Sequence, residues 1–314
     1  MPQNSSPKHF TLKRRTFLAG LAGLACFAGL CALPRPLDAA EALGFSSSSL
    51  LGLGQTELTG KLSRLEAVSG GRLGIARLDC ATGRLYTYRG EEAFPVCSTF
   101  KVLVAAAVLK QHPHRINDLV HYGQAKIISW SPVTEKHVNT GMTVEALCAA
   151  AVQYSDNTAA NLLLEMIGGP AGLTAFARSI GDDVFRLDRM EPALNQADPG
   201  DMRDTSSPAA MALTLNALLM NDILPSQHRA LLQQWLMECA TGASRIPAGA
   251  PSGWKVGHKT GGGNNGTAND VGILLSPTGK PVILALYLTQ STVTESARDG
   301  ILAEATRLLC LPAG

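Results

Sequence analysis

The sequence predicts an α+β fold in which an antiparallel sheet, flanked by N- and C-terminal helices, carries an inserted all-α subdomain. Three observations lead there. Period-two alternation marks strand pairs toward both ends of the chain, around residues 73–88 and 270–289. Between about Phe94 and Cys239 the chain is Ala/Leu-rich at helical spacing. Amphipathic helical stretches lie outside the strands at each end.

The first 42 residues are read apart from the fold. "LKRRTFLAGLAGLACFAGLCAL" joins Arg14 and Arg15 to an apolar stretch from Phe17 to Leu33, the pattern of a signal peptide read by the twin-arginine export machinery. Small residues at Ala39, Ala40 and Ala42 put cleavage near Ala40 or Ala42, and the expected location is the periplasm. A retained membrane anchor is the competing reading; 17 residues with three glycines are short for a spanning helix. Removing residues 1–42 takes away five Lys/Arg and two acids, so Lys plus Arg falls from 27 to 22, Asp plus Glu from 25 to 23, and the net charge from +2 to −1. A near-neutral chain without a basic patch gives no electrostatic reason for a nucleic-acid partner. Nothing in the sequence indicates an oligomer, and a monomer is expected.

The remaining elements follow in order. "TELTGKLSRLEAVSG" has Thr56 as an acceptable N-cap and Leu58, Leu62 and Leu65 at helical spacing, a first helix. "RLGIARLDCATGRLYTYR" alternates through Leu73, Ile75 and Leu78, turns at Ala81-Thr82-Gly83 and resumes at Leu85, a β-hairpin. "TVEALCAAAVQ", "NTAANLLLEMIGG" and "SPAAMALTLNALLM" are helical. Strand signals return in "DVGILL" and "PVILALYLT" around a Ser-Pro-Thr-Gly turn, and "ESARDGILAEATRLLC" closes the chain as an amphipathic helix. The organisation expected is a leader at 1–42, an α/β subdomain from 43–93 plus 240–314, and an all-α subdomain at 94–239.

The chemistry starts at "PVCSTFKVLVAAAVLKQ". Ser98 and Lys101 stand three apart, but S-x-x-K also occurs at Ser5/Lys8 and Ser252/Lys255, so spacing alone decides nothing. Ser98 alone opens a helix, where the positive N-terminal end favours a developing alkoxide and i,i+3 spacing puts Lys101 on the same face. On its own the pair also suits an N-cap serine with a solvated lysine. "QYSDNTAANLLLE" adds Ser155-Asp156-Asn157, where Ser155 and Asn157 equally suit a helix cap. "GHKTGGGNNGTAND" adds Lys259-Thr260-Gly261, which equally suits a strand end and turn. Chance accounts poorly for all three in this order, each in fitting context.

In these motifs the sequence resembles the class A serine β-lactamases, from about residue 56 to the C-terminus. A fourth element, "FRLDRMEPALNQADPGDMRDTSSP", separates that family from penicillin-binding proteins: it carries Glu191 and Asn195 as E-x-x-L-N, with Arg189 and Asp204 tying the loop. The resemblance implies a β-lactamase/transpeptidase-like fold. It also implies hydrolysis of penicillin- and cephalosporin-type β-lactams through a serine acyl-enzyme, with antibiotic resistance as the outcome.

Carried over by residue, Ser98 is the nucleophile, Lys101 its activating neighbour, Ser155 the donor to the lactam nitrogen, and Glu191 with Asn195 the water-activating pair. Asn157 is expected to hold the substrate side-chain amide and Lys259 and Thr260 its carboxylate. Backbone N–H groups of Ser98 and Gly262 are expected to form the oxyanion hole, with Trp130 at the cleft mouth.

Some positions depart from the family. Ala268 stands where many relatives have a carboxylate-binding arginine, and Arg245 fits the version in which an upstream loop supplies it. Cys97 and Cys148 match halves of two family disulfides, but Gly263 and Ala105 occupy the other halves, so both read as buried small residues. Five cysteines lie beyond the leader, an odd number, and a fold independent of disulfides is expected. No cofactor is expected. His112-Pro-His114 is the one His pair at ligand spacing and reads as a surface turn, so no metal is expected either. The rival readings are a D,D-peptidase of the same fold, which would not need Glu191 and Asn195, and a non-catalytic periplasmic β-lactam-binding protein, which would need no deacylating base.

Overall fold

The structure, a computed structural model, describes residues 54–310. Its strands are β1 (Arg72–Asp79), β2 (Arg84–Tyr88), β3 (Phe94–Pro95), β4 (Leu119–Val120), β5 (Met142–Thr143), β6 (Thr205–Ser206), β7 (Lys255–Gly263), β8 (Thr267–Leu275) and β9 (Pro281–Thr289). Its helices are α1 (Gln55–Ser69), α2 (Phe100–Gln111), α3 (Val144–Gln153), α4 (Asn157–Met166), α5 (Gly169–Ser179), α6 (Pro208–Met220), α7 (Ser226–Met237), the single turn α8 (Ile246–Gly249) and α9 (Glu295–Cys310). The leader residues of the sequence reading lie outside the described residues.

Five strands form one sheet in the order β2-β1-β9-β8-β7, every neighbouring pair antiparallel. The hairpin turns at 81–83 and 276–279 set the registers Asp79↔Arg84 and Leu275↔Pro281. Because side chains alternate across a strand, the sheet feeds two cores. Leu73, Ile75, Leu284, Leu286 and Leu288 face α1 and α9, packing with Leu58, Leu62, Leu302 and Leu309. Ala76, Leu78, Val271, Ile273, Ile283, Ala285 and Tyr287 face the other way and join the core of the helical middle.

The sheet, its flanking helices and the helical middle match the fold class the sequence predicts. Three local readings change. Helix α1 begins one residue before Thr56, with Gly54 as its cap, so Thr56 lies inside the first turn. Strand β7 carries no apolar alternation because four of its nine residues are glycine, yet residues 257–261 are buried through pairing with β8 and packing against α7. The middle also holds the two-residue pairs β4–β5 and β3–β6; the second joins Phe94 to Ser206 and Pro95 to Thr205, clamping the far end of the Glu191 loop to the segment that enters Ser98.

Helix α2 is apolar on all sides and buried from Phe100 to Leu109, as a helix in the centre of a core must be. It carries Lys101 into that core. An ammonium group moved there costs several kcal/mol unless it is paired, and its neighbours Phe100, Val102, Leu103 and Val104 each stabilise the buried helix by about 1.5–3 kcal/mol.

Candidate active site

Ser98 sits in the 3₁₀ turn Cys97–Thr99 that runs into α2, where the sequence reading had it opening the α-helix itself. The turn is set up by Cys97 in the left-handed region at φ 44°, an uncommon conformation for a residue with a Cβ. Ser98 is buried, and its Oγ donates to Glu191 Oε1 at 3.2 Å. Lys101 Nζ, one turn on, reaches the same oxygen at 3.0 Å and donates to Asn157 Oδ1 at 2.5 Å and to the Ser155 carbonyl at 2.8 Å. Burial pushes the Lys101 pKa down, and the Glu191 carboxylate opposes that shift.

Ser155 and Asn157 flank the residue that does the capping. Asp156 Oδ1 accepts from Ala159 N at 2.9 Å at the start of α4, and its two oxygens also take Thr134 Oγ1, Thr134 N and Val133 N at 2.8, 2.9 and 3.0 Å. The cap assigned to Ser155 and Asn157 therefore belongs to Asp156, which the carboxylate's preference for an N-cap could have identified. With Asp156 fixed, Ser155 is held left-handed at φ 58°, and its Oγ receives Lys259 Nζ at 3.0 Å and Lys101 Nζ at 3.4 Å. Asn157 Nδ2 donates to Ser129 O at 2.8 Å and Asn157 N to Trp130 O at 2.9 Å. Trp130 is left-handed and 65% exposed, anchored by its indole N–H on Tyr154 O.

Glu191 is held at both ends of its residue and of its loop. Asn161, a residue the sequence reading did not single out, accepts from Glu191 N at 3.0 Å and donates to Glu191 O at 2.9 Å. Arg189 Nε binds Asp204 Oδ2 at 2.5 Å, and the other Asp204 oxygen takes the N–H groups of Asp188 and Arg189, so the expected tie is present. Asn195 Nδ2 donates to Glu191 Oε2 at 2.5 Å, which leaves Asn195 Oδ1 a buried acceptor without a partner among the described residues.

Strand β7 forms the facing wall, alongside the Ser98 turn. Lys259 is wholly buried, with Nζ on Ser155 Oγ and on Thr260 O at 2.8 Å. Burial, with Lys101 nearby, brings its pKa down to about 7. Thr260 Oγ1 is 2.7 Å from Thr241 Oγ1, and Gly262 is exposed at the sheet edge. A Cβ on Gly263 would lie 2.8 Å from both Asn195 O and Cys97 Sγ, so only glycine lets β7 approach the turn and the Glu191 loop. Arg245 reaches the strand: Nη1 donates to Gly261 O and Asn269 O at 2.9 Å each. Its Nε is paired with Asp299 at 2.7 Å, a partner the sequence reading did not foresee.

All five described cysteines are free thiols, Cys97 and Cys148 buried as expected. His112 Nε2 lies 3.1 Å from Met166 O, and no group of metal ligands occurs among the described residues. Ser98, Lys101, Ser155, Asn157, Glu191, Asn195 and Lys259 thus form one hydrogen-bonded cluster. Thr260, Gly262 and Arg245 lie along its wall, and Trp130 stands at its rim.

Residues 57–310 match the model of the family described as the Beta-lactamase enzyme family. The chain belongs to that family. This β-lactamase is 46% identical over 252 residues to Beta-lactamase FAR-1 of Nocardia farcinica, covering 79% of this chain and 80% of that protein. It is 48% identical over 252 residues to Beta-lactamase OXY-1 of Klebsiella oxytoca, covering 79% and 87%. The solved structure titled the last common ancestor of Gram-negative bacteria beta-lactamase class A matches with a TM-score of 0.78 and 55% identity, covering 80% of this chain and 97% of that one. The chain is a class A serine β-lactamase, a hydrolase of β-lactams, the activity that confers antibiotic resistance.

Asp156→Ala removes the acceptor of four buried donors. We expect it to destabilise the β-lactamase by about 3 kcal/mol or more in urea unfolding, and to lower kcat/KM because Ser155 and Asn157 lose the cap that places them.

Proposed function

We propose that Ser98 is the nucleophile of the hydrolysis and Glu191 the base of both its halves. The observation that carries the proposal is the Glu191 carboxylate: one oxygen receives Ser98 Oγ and Lys101 Nζ, the other receives Asn195. In acylation, Ser98 Oγ attacks the lactam carbonyl carbon while its proton passes to Glu191. The oxyanion that forms faces the N–H groups of Ser98 and Gly262. The C–N bond then breaks, and Ser155 gives its proton to the departing nitrogen, replenished by Lys101, which touches both Ser155 Oγ and Glu191. Lys101 recovers a proton from Glu191, so the pocket ends acylation in its starting protonation state. In deacylation, Glu191 takes a proton from a water that Asn195 Oδ1 orients, the resulting hydroxide attacks the ester carbonyl carbon, the C–O bond to Ser98 breaks, and Glu191 returns the proton to Ser98 Oγ, which frees the opened product as its acid.

Lys259 and Thr260 bind the substrate carboxylate, with Arg245 adding positive potential from behind the strand. Asn157 takes the side-chain amide, and Trp130 covers the mouth. One chain supplies every one of these residues, which supports a monomer as the working unit. Substrates are penicillin- and cephalosporin-type β-lactams. The twin arginines Arg14 and Arg15, the apolar run and the alanines after it support export through the twin-arginine machinery to the periplasm. Among the described residues no helix is long and apolar enough to cross a membrane.

Three expected outcomes test this reading. Glu191→Ala, given a penicillin, loses turnover by about 10²–10⁴-fold and accumulates an intact-mass adduct that maps to Ser98. A lasting adduct without turnover in the parent, or no adduct in either, overturns the division of roles. Lys259, at about 7 in the free enzyme, is charged below that pH and neutral above it. Thus kcat/KM for a carboxylate-bearing substrate declines as pH rises through about 7, mainly through KM, and Lys259→Arg moves the decline to higher pH. Cell fractionation of the full chain recovers activity in the periplasm, with a mature N-terminus at Glu41 or Leu43, and Arg14→Lys with Arg15→Lys retains it in the cytoplasm.

A further inference from the structure

Behind the carboxylate-binding end of the cleft lies a second cluster that the hydrolysis does not use. His258 precedes Lys259 on β7, and its Nδ1 meets Asp270 on β8 at 2.9 and 3.0 Å to the two carboxylate oxygens. Asp270 Oδ2 is fixed in turn by Ile246 N at 3.0 Å. The far edge of the His258 ring borders the loop after α7 that carries Cys239: its Cε1 would lie 3.6 Å from a Cβ on Gly242, and the ring interacts electrostatically with the Cys239 thiol. A thiol, an imidazole and a carboxylate that orients the imidazole therefore stand together at this end of β7. Cys239 is partly exposed, whereas Cys97, Cys148 and Cys310 are buried.

We propose that Cys239 is a covalent modification site for small disulfides, activated by His258 and Asp270, and that a group attached there disables the carboxylate-binding end of the active site. Burial alone would raise the Cys239 pKa, but the neighbouring His258 brings it down to about 7. Cys80 and Cys310 are pushed up by burial to about 12 and about 11. For His258, burial works against the charge, but the Asp270 carboxylate overrides it and raises the pKa to about 10, so the ring carries a proton at neutral pH. Thiolate and imidazolium side by side form the electropositive, accessible setting in which a cysteine reacts.

The step is thiol–disulfide exchange. The Cys239 thiolate attacks one sulfur of the disulfide, an Sγ–S bond forms, the original S–S bond breaks, and the leaving thiolate departs with its electron pair and takes up a proton from solvent. The consequence for the cleft runs through Thr241. Cys239 Sγ lies 3.4 Å from Thr241 Oγ1, which lies 2.7 Å from Thr260 Oγ1. The loop has no slack there: a Cβ on Gly242 would lie 2.2 Å from Thr260 Cγ2. Atoms added to the sulfur must displace Thr241 and with it Thr260. This last part rests on the reading of Thr260 and Lys259 as the carboxylate-binding pair.

The test treats the full chain, natively folded at pH near 6, with 2,2′-dithiodipyridine. It follows release of 2-thiopyridone, maps the labelled peptides by mass, and measures β-lactam hydrolysis before labelling, after labelling, and after dithiothreitol. Cys239 is expected to label at least tenfold faster than Cys97, Cys148 or Cys310, and His258→Asn to slow it by about fivefold or more, after allowing for the greater intrinsic nucleophilicity of a higher-pKa thiol. Labelled parent loses at least tenfold in kcat/KM and recovers with dithiothreitol, while Cys239→Ser keeps its activity through the same treatment.

Labelling of Cys239 no faster than of the buried thiols, or unchanged in His258→Asn, overturns the activated site. Fast labelling with full retention of activity overturns the coupling. Should Lys259→Ala leave KM for carboxylate-bearing substrates unchanged, the carboxylate assignment fails on its own, and the labelling rates still decide the thiol site.

Discussion

The contact on which the structure turns is the one between Lys101 and Glu191, two oppositely charged groups 3.0 Å apart with no solvent exposure of either side chain. Removing one partner of such a pair strands a charge in the core at a cost of about 3–5 kcal/mol, so helix α2 and the Glu191 loop each depend on the other for stability. The same contact is poor value as stability. Apolar residues of similar volume would pack there without the desolvation penalty, and the pair makes sense as chemistry. A carboxylate beside a serine hydroxyl and an ammonium group, out of water, exchanges protons with both over hydrogen-bond distances.

Such a site needs a rigid surround, and the surround consists largely of the buried carboxylates Asp156 and Asp204 and the half-buried amide of Asn161, none of which has a part in the proposed proton transfers. Asp156 gathers four donors beneath Ser155 and Asn157, Asp204 gathers three groups at the neck of the Glu191 loop, and Asn161 grips the Glu191 backbone on both sides. The left-handed residues Cys97, Trp130, Ser155 and Asp204 all lie in or beside the site, each an unfavourable conformation for a side chain with a Cβ. The hydrogen bonds that hold them offset that strain and prevent the loops from relaxing out of catalytic register.

The sheet contributes in a different way. Its edge strand β7 gives up side chains at Gly261 and Gly263 so that backbone can approach the serine turn. It sends Lys259 to Ser155 on one face and, on the other, Thr260 to Thr241 and His258 to Asp270. One strand thus serves the cleft directly and, through His258, connects it to Cys239. That connection joins the hydrolase to chemistry of a separate kind.

The sequence by itself determined the class of fold and the strand pairs with their turns, and it nominated the candidate reactive residues. These are properties of short stretches: alternation, helical spacing, and reactive types at fixed offsets such as Ser98 with Lys101 or Glu191 with Asn195. It also indicated which disulfides could not form, since Gly263 and Ala105 hold no sulfur. Only the tertiary structure decided what those residues do to one another. Ser98 and Glu191 are 93 residues apart in the chain and 3.2 Å apart in space, and no local pattern encodes that distance.

The grip of Asn161, the pairing of Arg245 with Asp299 and the Cys239–His258–Asp270 cluster were likewise invisible beforehand, because each joins residues of separate elements that meet only when the chain closes into its tertiary structure. The burial that depresses Lys101 and Lys259 arises from the same closure. Local periodicity specifies which face of an element is apolar; the packing of those faces against one another sets the distances and the dielectric, and with them the chemistry.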